Sequence, residues 1–216
     1  MDTDFARRQM VEQQVRAWDV LHPDILKVLS DVPREQFVPT GFEALAFADT
    51  EIPIGHGQTM MTPTLEGRML QALDPDSDDR VLEIGTGTGF LAACLARLAG
   101  QVTSIDIHES FLDSAKVNLE DSGIGDITLL AMDATQELPD EEFDVIAVTG
   151  SVEEFDPRFV EILAPGGRLF VVVGKGPAME ARLITKTGEA NWESESLFET
   201  ELAPLADASR RPEFLF

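Results

Sequence analysis

Apolar positions along the chain follow two repeats. Between residues 3 and about 18, Phe5, Met10, Val11, Val15 and Trp18 recur at mostly three-to-four spacing among Arg, Gln and Glu, which predicts an amphipathic helix. Pro23 suits a first helical turn, where its missing N–H would have had no partner, and Ile25, Leu26, Val28 and Leu29 continue a short second helix. Val32-Pro33-Arg34-Glu35-Gln36-Phe37-Val38-Pro39 is bracketed by prolines and reads as an extended connector. Residues 54–62 read as irregular. Thr62 as N-cap and Pro63 at the first helical position then open a helix to about residue 73.

Beyond that helix the pattern alternates. Strands are predicted at 80–84, 102–106, 127–131, 143–149 and 168–173, and helices at 89–99, 109–121 and 157–163. Such alternation implies crossover units around a parallel sheet with both faces covered. Leu169, Phe170, Val171, Val172 and Val173 are apolar without alternation, as an interior strand requires, and Pro165-Gly166-Gly167 is expected to end the helix before it. Leu183-Ile184-Thr185 and Leu197-Phe198-Glu199-Thr200 lack a helix-length pattern between them and read as antiparallel strands. The expected fold class is therefore α/β, a doubly wound, mostly parallel sheet with antiparallel C-terminal strands and an N-terminal helical extension.

The most informative stretch is Val81-Leu82-Glu83-Ile84-Gly85-Thr86-Gly87-Thr88-Gly89, an apolar strand running into three glycines and then a helix. Glycine turns tightly and lets backbone approach a ligand closely. A dinucleotide turn wants G-x-G-x-x-G, with the pyrophosphate on the helix N-terminus. Here the third glycine comes one position early, and Glu83 precedes the first by two. A carboxylate there repels pyrophosphate and suits an ammonium or sulfonium group, which favours S-adenosyl-L-methionine over NAD. Residues 1–62 are then N-terminal helices and a substrate-side loop, packed on a cofactor-binding core at 63–216.

Composition narrows the partners. A chain of 216 residues fits one domain, and 16 basic against 40 acidic side chains give a net charge of −24. That field repels phosphate backbones and anionic lipid, so neither nucleic acid nor membrane is an expected partner. The single cysteine, Cys94, sits in an apolar run and reads as a small buried hydrophobe of a reducing compartment. The acidic start at Met1, Asp2 and Asp4, with no long apolar segment after it, indicates neither a signal peptide nor a membrane span, and the expected location is cytoplasmic. Oligomeric state is not legible.

Ligands of such sheets sit beyond the carboxyl ends of the strands where strand order reverses. Besides the glycine turn (Glu83, Gly85, Thr86, Gly87, Thr88, Gly89), three positions meet there. Asp106, followed by Ile107, offers two acceptor oxygens for the hydroxyls of a ribose. Asp133, followed by Ala134, stands after the third strand to accept from an adenine amino group, and Thr149 ends the fourth strand near the reacting end of the ligand. Either aspartate alone can equally be a helix cap. His22, His56 and His108 lack the spacing of a metal site, and no nucleophile motif of a hydrolase is present.

Gln9-Met10-Val11, the proline-bracketed segment, Ile54-Gly55-His56-Gly57-Gln58-Thr59, the glycine turn and Pro165-Gly166-Gly167 occur in this order, and in this the chain resembles the protein-L-isoaspartate O-methyltransferases. The resemblance spans nearly the whole length. It implies a Rossmann-like sheet, S-adenosyl-L-methionine as donor, and methyl esterification of isoaspartyl or D-aspartyl carboxylates in damaged proteins. The family's G-Q-T-I-S motif, whose serine belongs to the active site, reads Gly57-Gln58-Thr59-Met60-Met61 here, so Met61 replaces that serine. Pro63-Thr64-Leu65 stands where P-H-M often follows, and the tyrosine of I-G-Y-G is His56.

The nucleophile of that reaction is a carboxylate of ordinary pKa about 3.9, already ionised at pH 7, so no general base is needed and the site must supply alignment. Losing a hydroxyl that orients a charged group costs about 1.5–3 kcal/mol, or about 10- to 160-fold in rate. Thr59 and Thr62 flank the gap as candidate catalytic hydroxyls. Met60 and Met61 fit two roles equally, filling space or reshaping the pocket for an apolar acceptor. Three functions stay open: isoaspartyl methylation, methyl transfer to another acceptor, and cofactor binding without turnover.

Overall fold

The computed structural model describes residues 3–206; Met1 and Asp2 of the acidic start, and 207–216 of the expected core, lie outside the described residues. A seven-stranded sheet organises the protein. Its members are β3 (Arg80–Ile84), β4 (Gln101–Asp106), β5 (Ile127–Ala131), β6 (Phe143–Val152), β7 (Leu163–Lys175), β8 (Ala178–Lys186) and β9 (Trp192–Thr200), in the order β5-β4-β3-β6-β7-β8-β9. Pairing is parallel from β5 through β7 and antiparallel for β7 with β8 and β8 with β9. Chain order reverses between β3 and β6, which puts the end of β3 at the crevice where such sheets bind ligands.

Alternation along the strands splits the core. Val81, Val102, Val145, Ala147, Phe170 and Val172 face a cluster that also takes in Met10, Val15, Leu29, Leu70 and Cys94. The intervening Leu82, Ile84, Ile105, Ile146, Val148 and Leu169 join Phe159 and Val160 on the other face. The first face is covered by α2 (Pro23–Asp31), α3 (Pro63–Leu73) and α4 (Phe90–Leu98), and α5 (Glu109–Asp121) packs beside β4 and β5. Residues of the N-terminal extension thus share one apolar cluster with the sheet. Among the described residues no helix is long and apolar enough to cross a membrane.

Several local expectations need correction. The first amphipathic stretch is helical, but α1 (Thr3–Gln9) widens into a π-helical turn at Met10–Val15 and tightens into a 3₁₀ turn at Arg16–Trp18. Met10, Val11 and Val15 are buried, whereas Phe5, in the regular first turn and five residues from Met10, and Trp18, beyond the π-helical turn, are exposed. The proline-bracketed segment holds a 3₁₀ turn, Arg34–Gln36, instead of running extended. Residues 52–60 form a hairpin of β1 (Ile52–Gly55) and β2 (Gln58–Met60), turned by Gly55 (φ 106°), His56 (φ 52°) and Gly57 (φ 74°). The predicted helix at 157–163 shrinks to α6 (Arg158–Glu161). Pro165-Gly166-Gly167 does not end it but bulges β7: Phe143 pairs with Leu163 and Val145 with Arg168, and Gly166 takes φ 81°.

Candidate active site

The glycine turn leaves β3 and enters α4 beside β4. Gly85 and Gly87 have φ 100° and 51°, and a Cβ on Gly85 would lie 2.2 Å from Thr149 Oγ1. Thr149 donates its hydroxyl to the carbonyls of Ile84 (3.0 Å) and Gly85 (2.8 Å), pinning the turn to β6. Strand β6 continues past the predicted end at 149 to Val152, with irregular pairing between Ala147 and Ser151. Thr149 is therefore a residue of the strand whose hydrogen is spent on the turn. Gly89 has a packing role: a Cβ there would sit 3.0 Å from that of Ala115 on α5, and the residue does not line the pocket.

Around this turn lies a pocket with about 820 Å³ of empty space, counting the part open to solvent. Thr59, Glu83, Gly85, Thr86, Gly87, Thr88, Asp106, Ile107, Asp133, Ala134 and Thr149 all line it. The structure thus brings together the four regions expected from sequence. Thr62 is absent from the lining; its hydroxyl accepts from the Leu65 amide at 3.3 Å and caps α3, and it also bonds Thr64 Oγ1 at 3.1 Å. The threonine is a cap, as its position before Pro63 implies, and its hydroxyl is engaged outside the pocket lining. Thr59 Oγ1, by contrast, is buried with no hydrogen-bond partner.

Glu83 is completely buried, and Ser104 donates a short hydrogen bond to its Oε2. Thr86 Oγ1 lies 2.6 Å from Ser104 Oγ and extends this buried chain of hydroxyls. Glu83 Oε1 is buried without a partner. Burial pushes this carboxyl up to about 8; the Ser104 hydroxyl pulls it down and the nearby Asp106 charge adds to the rise. Asp106 takes the Gly87 amide on Oδ2 (3.0 Å) and the His108 amide on Oδ1 (2.9 Å), which leaves each oxygen a second lone pair. Both Thr135 donors fall on Asp133 Oδ1, so Oδ2 remains available to a ligand.

Two residues that sequence reasoning passed over hold the substrate-side wall. Arg34, fully buried, donates from Nε to the Ala46 carbonyl (2.9 Å) and from Nη2 to the Met61 carbonyl (2.7 Å), and forms a short ion pair with Glu66 of α3. Its guanidinium also lies 4.7 Å from the centre of the Phe90 ring. Burial lifts the Glu66 carboxyl to about 7, against the pull of Arg34. This is the physical content of the proline-bracketed motif: it fixes Met61, 5% exposed, against the pocket. The histidines are also closer than their spacing suggests, since His56 and His108 stack with centroids 4.1 Å apart. Among the described residues no group of three or more His, Cys, Asp or Glu is placed to hold a metal.

The family model for protein-L-isoaspartate (D-aspartate) O-methyltransferase matches residues 6–210. The chain belongs to this family. A protein-L-isoaspartate O-methyltransferase of Koribacter versatilis is 35% identical over 206 residues, covering 94% of this chain and 92% of its own. One of Methanoculleus marisnigri is 37% identical over 193 residues, covering 87% and 88%. A Plasmodium falciparum structure assigned as a protein-L-isoaspartate O-methyltransferase, in complex with S-adenosyl-L-homocysteine, shares the fold at TM-score 0.79 and 18% identity, covering 92% of this chain and 97% of its own. Membership in the family accounts for the Rossmann-like sheet with its N-terminal helices.

Proposed function

We propose that this chain is an S-adenosyl-L-methionine-dependent methyltransferase that methyl-esterifies isoaspartyl and D-aspartyl carboxylates of damaged proteins. The observation that carries the reading is the orphaned Glu83 Oε1 beneath a glycine cradle, in a member of this family. A buried acceptor with no partner is costly unless a ligand donor completes it, and the ammonium of the cofactor is such a donor. Gly85, Thr86, Gly87 and Thr88 form the cradle, and no Cβ on Gly85 could be housed beside Thr149. Asp106 has lone pairs for ribose hydroxyls, and Asp133 Oδ2 suits an adenine amino group. Ile107 and Ala134 supply apolar wall between them. When bound, S-adenosyl-L-methionine supplies a methyl group on a sulfonium sulfur.

The acceptor side rests on residues 58–61. Thr59 Oγ1 is the hydroxyl left to orient the incoming carboxylate, and Met60 and Met61 line the same wall and exclude water. The carboxylate arrives ionised, so the chain aligns it without removing a proton. A protein substrate in the cytoplasm fits the net charge of −24, which disfavours phosphate backbones and anionic lipid. The test supplies an isoaspartyl peptide, its normal aspartyl isomer and labelled cofactor. Base-labile methyl ester on the first alone supports the reading; none above background overturns it.

One observation favours a second acceptor class. Met61 is 5% exposed in the pocket, where an apolar or aromatic acceptor would gain contact and a carboxylate gains no hydrogen bond. Met61→Ser separates the two: a higher isoaspartyl rate indicates a pocket turned to another acceptor, and an unchanged rate counts against that.

A further inference from the structure

The β1–β2 hairpin is a sheet of its own, so no backbone ladder ties it to the seven strands. Ile52 and Met60 bury its base in the core, Gln58 donates to the Pro204 carbonyl, and three rings hold its tip. At the hairpin tip, the His56 ring stacks on that of His108, at the N-terminus of α5, with centroids 4.1 Å apart and planes 13° from parallel. Phe111 meets both rings edge-on, at 5.1 Å from His56 and 5.3 Å from His108. His56 Nε2 is 2.9 Å from Ser110 Oγ. Histidine at φ 52° sits in left-handed backbone that glycine takes more readily, yet this turn places its ring-bearing residue between two glycines. The strain is retained where the ring is needed.

The contacts lead straight to the cofactor cradle. The His108 amide donates to Asp106, whose other oxygen accepts from Gly87. On the hairpin side, a Cβ on Gly87 would lie 3.2 Å from Ile54 Cδ1, so the hairpin runs over the glycine turn. Ile54 and Gln58 of the hairpin line the same pocket as Gly87, Asp106 and His108. A ligand lodged there has wall on both sides, and those walls are joined at the ring stack.

We propose that His56 and His108 are positioning residues that clasp the hairpin across the mouth of the cofactor pocket and so set how fast the adenosine ligand leaves. The clasp rests on the cofactor reading given above. Each turnover must exchange product for fresh donor, and exchange past the glycine turn requires the hairpin to part from α5. That motion breaks the ring stack and leaves the seven-stranded sheet untouched.

The experiment measures dissociation of S-adenosyl-L-homocysteine from the full-length protein by stopped flow, beside the melting temperature. His56→Gly removes the ring and the backbone strain together, and His108→Ala removes the opposite ring. Each is expected to speed dissociation about two- to twelvefold, the worth of one aromatic pair. The double variant is expected to be no faster than the faster single, because both remove one contact. His56→Tyr keeps a ring and is expected to stay within about twofold of the parent. Parent-like dissociation in His56→Gly, or effects that multiply in the double variant, overturn the clasp alone. Failure of the parent to bind the ligand overturns the cofactor reading and the clasp with it.

Discussion

Lowering the pH from 7 to 6 is expected to weaken S-adenosyl-L-homocysteine binding about tenfold, through one carboxyl. Glu83 is lifted from 4.5 to about 8, first by burial, so the empty site holds it protonated at neutral pH. The shift corresponds to about 5 kcal/mol for ionising this group without a partner, at about 1.4 kcal/mol per unit. A ligand ammonium seated against Glu83 favours the ionised form, so binding releases a proton. Below about 8 the ionised fraction of the free protein falls tenfold per pH unit, and affinity falls with it. Above about 8 the carboxyl of the free protein is already ionised, so affinity levels off. Calorimetry in buffers of different ionisation enthalpy reads both quantities, and release of about 0.9 proton is expected at pH 7. Glu83→Gln is expected to bind more weakly and to lose the pH dependence. Parent affinity that is flat between pH 6 and 8, with no proton released, would refute the argument.

Other expectations follow from single contacts. Thr59→Val is expected to slow methyl transfer about 10- to 160-fold while leaving the melting temperature near that of the parent, since the hydroxyl has no partner to lose. Thr62→Ala is expected to cost about 1 kcal/mol of stability in urea unfolding, as for a lost N-cap, with little change in the single-turnover rate. Arg34→Met removes the cation that opposes burial, so Glu66 takes a proton at neutral pH and the Ala46 and Met61 carbonyls lose their donor; a loss of about 3–5 kcal/mol is expected by urea unfolding, only partly restored by the double change Arg34→Met with Glu66→Leu. Without cofactor, the protein is expected to lose stability as pH rises from 4.5 toward 8. Folded Glu83 and Glu66 keep protons there that the unfolded chain releases, and Glu83→Gln is expected to remove roughly half of the loss in thermal melts, leaving the share of Glu66.

What could be read in advance was local or periodic. Strand β3 with its glycines, the caps at Thr62 and Pro63, and the alternation from residue 80 onward depend on neighbours in sequence, and the structure has them. The antiparallel strands β8 and β9 were legible for the same reason, through the missing helix between them. Arg34 was not legible, because a charged side chain reads as exposed unless its partner is known, and Glu66 lies on another element. The hairpin was missed because β1 and β2 have four and three residues, too few to show alternation. Its Gly55-His56-Gly57 turn, with three positive φ values, was the signal that could have found it. The His56 and His108 stack depends on where that hairpin folds back, which no spacing rule records. At the Pro165-Gly166-Gly167 bulge the breaker residues were recognised, and their place within a strand was not.

The most direct test of the account is a crystal structure of the protein with S-adenosyl-L-homocysteine. The account predicts the ligand's amino group in hydrogen-bond contact with Glu83, its ribose hydroxyls on Asp106, and its adenine between Ile107 and Ala134 near Asp133. Ligand bound elsewhere, or Met61 filling the crevice at saturating ligand, would contradict it.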